Sequence, residues 1–314
     1  MTGSGPVVVL AGGTGGAKLA RGMLDVVGED DLVVIANTGD DVRIYGAHVS
    51  PDPDLVTFWL ADQIDERGWG LAGDTFAVMD GLRELGVDVW FALGDRDLAF
   101  GLDRARALDE GERLTVAQGR IAAALGVRAR VLPMSDLPVR TRVLTAERWW
   151  PLQEFMIVKR GAGPVLELDF RHADAAPPTP EVLGAIAAAR AVVIGPSNPF
   201  ISIGPILALP GLRAALVATS APVVAVSPLV GGRALKGPTE AFMSWAGRPL
   251  SSDGVAACYE GLIDGLVADG PGDAVPVLEA RVELADPNAR RRVAAQTLEF
   301  AHGLQGRGGR RRLH

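Results

Sequence analysis

The sequence predicts an α/β fold, a three-layer parallel sheet with helices on both faces and a small β-rich insertion. Three observations predict it. Short runs of β-branched and apolar residues close on glycine or small polar residues, as buried parallel strands do. Helix-spaced segments separate those runs. The small, polar clusters follow the apolar runs, which gathers them at the carboxyl edge of such a sheet.

The elements follow in order. Residues 6–11 read as a buried strand ending on glycines. Residues 17–27 carry Leu19, Met23 and Val27 at helical spacing, and 31–36 form a second apolar run. Strand, glycine loop, helix and strand make a βαβ start, Rossmann-like in character. Helices are expected over 52–67, 75–85 and 115–125, and strands over 87–93 and 128–133. Short alternating segments at 140–145, 152–159 and 165–170 suggest the β-rich insertion. After a Pro/Ala-rich hinge at 175–180 come a helix at 180–189 and strands at 191–195 and 223–227. Late helices are expected at 254–269 and 287–303, the second opened by Asp286-Pro287. The expected organisation is a Rossmann-like nucleotide-binding core over 1–137 and 176–314, with the insertion at 138–175.

The composition bounds the function. The chain has 314 residues, 48% of them apolar, and a net charge of −7. That balance argues against a nucleic-acid partner. Arg307, Arg310, Arg311 and Arg312 read as a solvated end. The single cysteine, Cys258, permits no disulfide within the chain and no thiolate zinc site, and it reads as a buried helix residue. No basic, then apolar, leader opens the sequence. The uncharged stretches 191–212 and 214–232 are broken by prolines and read as buried strands and loops. A cytoplasmic protein without a membrane span is the expectation.

The chemistry starts at Ala11-Gly12-Gly13-Thr14-Gly15-Gly16-Ala17-Lys18. Glycines let a backbone approach an anion closely, and the following helix points its N-terminus at the loop. Thr14 adds a hydroxyl and Lys18 a possible point charge. A P-loop requires Gly-Lys before Ser or Thr, and here Ala17-Lys18-Leu19 stands in its place. The dinucleotide fingerprint also fails, because Lys18 occupies its third glycine position. Four glycines in five residues cost folding entropy with no packing need visible in the sequence.

Four further clusters carry polar groups. In Asn37-Thr38-Gly39-Asp40-Asp41 the adjacent carboxylates repel, and a cation such as Mg2+ would relieve them. Asp40 is the candidate ligand, with a helix cap as the bland alternative. In Ser50-Pro51-Asp52-Pro53-Asp54, either acid could cap the next helix, and Asp54 is favoured as a site carboxylate. In Gly94-Asp95-Arg96-Asp97, Arg96 could pair locally or face a substrate. In Gly195-Pro196-Ser197-Asn198-Pro199 with Ser202, short side chains and free amides suit a phosphate or base, or an ordinary turn. His48, His172, His302 and His314 show no metal spacing, and no Gly-x-Ser-x-Gly elbow is present.

These clusters, in this order, resemble the 2-phospho-L-lactate transferase family (CofD/FbiA) of deazaflavin coenzyme F-420 biosynthesis. Leu132-Pro-Met-Ser-Asp136, Ser202-Ile-Gly-Pro-Ile206 and Val226-Ser-Pro228 extend the match, which runs from about Val7 to at least Gly237. The resemblance implies transfer of a phospho-acid group from a guanosine diphosphate adduct. The acceptor is the ribityl hydroxyl of 7,8-didemethyl-8-hydroxy-5-deazariboflavin, GMP leaves, and Mg2+ is the cofactor. Lactate, enolpyruvate and glycerate are all donors within the family, and the residues that choose among them are not legible. The resemblance also implies a homodimer. It makes Asp54 and Arg96 deazaflavin contacts, and Asn37 joins them as an expected substrate contact. Asp40 and Asp54 are the expected catalytic and metal residues. Gly12, Gly13, Thr14, Gly15, Gly16, Lys18, Ser197, Asn198 and Ser202 are the expected nucleotide and phosphate contacts. A different class competes: nucleotide-sugar-binding regulators of the related gluconeogenesis-factor group have a similar glycine loop. Gly94-Asp95-Arg96-Asp97 and the Ser50 to Asp54 segment favour the transferase.

Overall fold

Alternate residues of the first strand face two different cores, and that is what makes this sheet the middle layer of three. Val8 and Leu10 enter one apolar cluster, while Val7, Val9 and Ala11 enter the other. A strand buried on both faces has no use for polar alternation, so it reads as a continuous apolar run. The structure is a computed structural model that describes residues 5–235 and 237–305. The arginine-rich tail from Arg307 onward lies outside the described residues.

The chain begins β1 (Val7–Ala11), α1 (Gly13–Val27), β2 (Leu32–Ala36). It then leaves the sheet for a hairpin, β3 (Val42–Ile44) and β4 (Ala47–Val49), turning on Tyr45 and Gly46. Both turn residues have positive φ (50° and 80°), the hand that matches strand twist. Helices α2 (Pro51–Leu60), α3 (Ala77–Glu84), α4 (Asp95–Asp109) and α5 (Leu114–Ala124) lead to β5 (Arg130–Pro133), which pairs with β2. Next come β6 (Arg140–Leu144), β7 (Trp149–Pro151), α6 (Leu152–Ile157) and β8 (Glu167–Arg171), whose strands form a separate antiparallel sheet. α7 (Pro180–Ala187) returns the chain to β9 (Ala191–Ile194), beside β1. α8 (Gly204–Leu207), α9 (Leu212–Ala218), β10 (Val223–Val226), a short β11 (Leu229–Val230) and β12 (Arg233–Ala234) ribbon, α10 (Thr239–Trp245) and α11 (Ser252–Cys258) follow. β13 (Gly265–Ala268), β14 (Val277–Glu279) and α12 (Pro287–Gln305) complete it.

The main sheet is parallel throughout, in the order β14-β13-β10-β9-β1-β2-β5. α1 and α12 cover one face through Leu19, Met23, Val293 and Leu298. α7, α9 and α11 cover the other through Ile186, Leu216 and Val255. The chain builds outward from β1 in one direction and then restarts from β9 in the other. The loops after β1 and β9 therefore diverge, and such a switch point opens a crevice at the carboxyl ends of the strands.

Four expected elements differ. Residues 87–93 form no strand: Phe91 and Leu93 pack into a satellite core with Met79 and Leu98, where no sheet edge offers hydrogen bonds. Residues 152–159 hold a helix, α6, because Leu152 and Phe155 bury one helical face. The helix expected over 254–269 stops at Cys258; Gly261 turns the chain at φ 74°, and the next apolar run becomes β13. The helix expected over 52–67 ends at Leu60. Among the described residues, no helix is long and apolar enough to cross a membrane.

Candidate active site

The glycine loop is the first turn of α1, not a segment preceding it: the helix starts at Gly13, whose φ of 61° favours glycine. The glycines also have the packing role that the sequence hides. A Cβ on Gly15 would overlap the Pro196 carbonyl oxygen, and one on Gly16 would lie 2.7 Å from Ser197 Oγ. A Cβ on Gly12 would lie 2.7 Å from Ser202 Cβ. The loops after β1 and β9 thus meet backbone to backbone. Gly12 N donates to Ser197 Oγ at 3.4 Å, and Gly13 N donates to Asp52 Oδ1 at 2.5 Å.

Asp52 consequently caps α1, a helix distant in sequence, and neither Asp52 nor Asp54 caps α2 as expected. Its other oxygen accepts from Asn37 Nδ2 at 2.9 Å, and the same nitrogen lies 3.3 Å from Asp40 Oδ1. Asp40 Oδ2 accepts from Gln153 Nε2 of α6 at 2.9 Å. Asp40 and Asp52 are therefore neighbours joined by Asn37. Burial, then repulsion from Asp52 and Asp41, raises the Asp40 pKa well above the usual carboxylate range. Burial raises Asp52 to about 6, against the hydrogen bonds from Asn37 and Gly13.

Asp54 lines the same cavity as Asp40 but is held by other partners. Arg104, which is fully buried, grips both of its carboxylate oxygens, and Gln118 Oε1 accepts from the same guanidinium at 2.9 Å. Asp97 is brought close from the start of α4. Burial and the nearby Asp54 raise its pKa to about 7, although Arg104 acts the other way. The rest of this cluster is structural. Asp95 accepts from Ala77 N and Val78 N at the start of α3, while Asp74 accepts from Arg96 N and Asp97 N at the start of α4. The two helix starts cap each other. Arg96 is exposed, with its guanidinium 3.3 Å from Gln63 Oε1.

Two cavities meet over these groups. The first, of about 390 Å3, is lined by Gly12, Gly13, Thr14, Gly15, Lys18, Ser197, Asn198 and Ser202, and reaches Thr239 and Glu283. Lys18 sits 5.6 Å from the Trp59 ring centroid, a placement that favours its positive charge. Asn198 is internally committed: its carbonyl accepts from Phe200 N and Ile201 N, and its amide donates to Thr239 Oγ1. The second cavity, of about 490 Å3, is lined by Asp40, Asp52, Asp54, Asp97 and the rings of Phe58, Trp69, Trp90 and Phe91. Gly13, Met156, Ile201 and Ser202 line both. Of the expected contacts, Gly16, Asn37 and Arg96 line neither: Gly16 is packing, Asn37 holds the acid pair, and Arg96 lies outside.

Sequence reasoning missed Asp97, Arg104, Gln118, Gln153 and the four rings. Only Asp97 had a local signal, as the second acid of Gly94-Asp95-Arg96-Asp97. The others come from separate segments that only the fold brings together.

Comparison with known proteins shows the family. The family model described as 2-phospho-L-lactate transferase CofD matches residues 7–289. A 2-phospho-L-lactate transferase of Methanosarcina mazei is 40% identical over 84% of this chain and 86% of its own length. A phosphoenolpyruvate transferase of Kitasatospora aureofaciens is 39% identical over 87% of this chain and 88% of its own. A solved structure from Bacillus halodurans, a member of the UPF0052 family, shares the fold with a TM-score of 0.56 at 16% identity, over 94% of this chain and 99% of that one.

Proposed function

The chain belongs to the 2-phospho-L-lactate transferase CofD family, and from that premise we propose that it moves a phospho-acid group from a guanosine diphosphate adduct onto the ribityl hydroxyl of 7,8-didemethyl-8-hydroxy-5-deazariboflavin, releasing GMP. The observation that carries this reading is the pair of cavities sharing Gly13 and Ser202. A polar chamber at a helix N-terminus suits a diphosphate. A chamber walled by four aromatic rings suits a flat tricyclic acceptor. Two ligands seated so would bring hydroxyl and phosphorus together at the shared wall, and positioning is most of what phosphoryl transfer requires.

The residues take roles accordingly. The start of α1 and Lys18 hold the diphosphate. The Arg104 grip fixes Asp54 towards the acceptor. Asp97, with its pKa near neutrality, is suited to take the proton that the attacking hydroxyl loses. Asp40 and Asp52 form an oxygen-donor pair whose buried repulsion a hard cation would relieve, so they fit Mg2+. Such an ion, once bound, would supply neutralisation of the diphosphate charge. Among the described residues no set of three acids or histidines forms a metal cage, and Mg2+ characteristically completes its shell with phosphate oxygens and water.

The test is mass spectrometry of the product from the deazaflavin, Mg2+, and the phospholactyl, enolpyruvyl and phosphoglyceryl guanosine diphosphate adducts. A phospho-acid adduct of the deazaflavin with one of them is expected. No adduct with any donor, together with retention only of a UDP-sugar, would overturn the reading. Arg96→Ala refines it. Stability should stay within about 0.5 kcal/mol, because the side chain is exposed. The KM for the deazaflavin should rise about tenfold if Arg96 swings onto the acceptor, a loss of one charge-assisted contact.

A further inference from the structure

The cavity at the start of α1 also carries a negative charge that the diphosphate cannot use. Val282 and Leu284 are buried in the core beside α1 and α12, and Arg281, Glu283 and Ala285 between and around them are exposed. This alternation turns Glu283 away from the core, and Glu283 lines the cavity of about 390 Å3. Among the described residues, Lys18 and Glu283 are the charged side chains of that lining. No described residue makes a hydrogen bond or ion pair with the Glu283 carboxylate. A carboxylate in a diphosphate cavity is adverse unless it faces an uncharged part of the ligand that donates hydrogen bonds.

The neighbouring groups fit such a part. Pro228, Val230 and Pro238 provide apolar wall. Ser227 Oγ already accepts from Leu229 N, and Thr239 Oγ1 from Asn198 Nδ2, so each hydroxyl keeps its proton to donate. A carboxylate and two hydroxyl donors lining one cavity complement a base with adjacent N–H groups on one edge and acceptors on the other. Guanine has that pattern, with N1–H and the 2-amino group against O6 and N7. Adenine presents a bare N1 acceptor to the carboxylate and is repelled.

We propose that Glu283 selects guanine by accepting from N1–H and the 2-amino group, with Ser227 and Thr239 donating to the opposite edge. This rests on the reading of the donor as a guanosine diphosphate adduct. Equilibrium binding of GDP, IDP, XDP and ADP to the full-length chain tests both. The wild-type chain should bind GDP about 10- to 100-fold tighter than IDP, which lacks only the 2-amino group. Glu283→Ala should bind GDP and IDP alike while keeping the wild-type affinity for IDP to within about tenfold, which also shows that the variant is folded. Glu283→Gln should turn the preference towards XDP, whose C2 carbonyl accepts from the new amide. Either variant keeping the GDP-over-IDP ratio overturns the assignment of Glu283, as does loss of IDP binding in both. A wild-type chain that prefers ADP, or binds no guanine nucleotide, overturns the guanosine reading itself.

Discussion

The two cavities are held open by opposite means. The polar one depends on atoms that are missing: Gly12, Gly15 and Gly16 let the loops after β1 and β9 touch through their backbones. The aromatic one depends on atoms that are present and paired: Arg104 on Asp54, Asn37 between Asp40 and Asp52, and Gln153 on Asp40. A site made of backbone tolerates almost no added volume. A site made of buried charge tolerates almost no removed partner.

Subtraction should hurt the aromatic cavity most. Arg104→Met leaves Asp54 buried without its counter-charge, and should cost about 3–5 kcal/mol by chemical denaturation. A loss below about 1 kcal/mol would mean that water reaches Asp54, and the comparison would fail on that side. Addition should hurt the polar cavity next. Gly15→Ala forces a methyl onto the Pro196 carbonyl and should cost about 1–3 kcal/mol. Gly119→Ala, an exposed position in α5 with open space at Cβ, should instead stabilise by about 0.5–1 kcal/mol. Equal effects at the two glycines would remove the close-approach argument.

The last effect depends on pH. Asp97 binds its proton more tightly in the folded chain, with a pKa of about 7 against an ordinary 3.8. Folding then takes up a proton between those values, so stability falls as pH rises from about 4 to about 7 and stays at the lower level above. Asp97→Asn should therefore stabilise the cation-free protein at pH 8, and the gain should fade towards pH 4. Denaturation midpoints that shift equally at both pH values would place Asp97 in water.

Legibility divided along the same line. The polar cavity follows β1, β9 and β10, so its residues sit just after apolar runs in the sequence, and Gly12, Ser197 and Asn198 were found there. Their tasks were less legible: Asn198 spends its side chain on its own loop, and Gly15 and Gly16 serve packing as well as any ligand. The aromatic cavity draws on 40–97, where one expected strand is absent and the structure is short helices and a hairpin. Asp52 shows the limit. Ser50-Pro51-Asp52 signals a helix cap, and Asp52 is one, but for α1, 39 residues away.

The sequence by itself determined the parallel sheet, the strand-then-polar-loop order, the family and most of the polar wall. These depend on local apolar runs and on motifs contiguous in the chain. Only the tertiary structure decided that Asp40 pairs with Asp52, that Arg104 holds Asp54, and that Glu283 faces the same cavity as the glycine loop. Those contacts join residues tens to hundreds of positions apart, and their energies come from burial and charge, which exist only once the chain has closed around them.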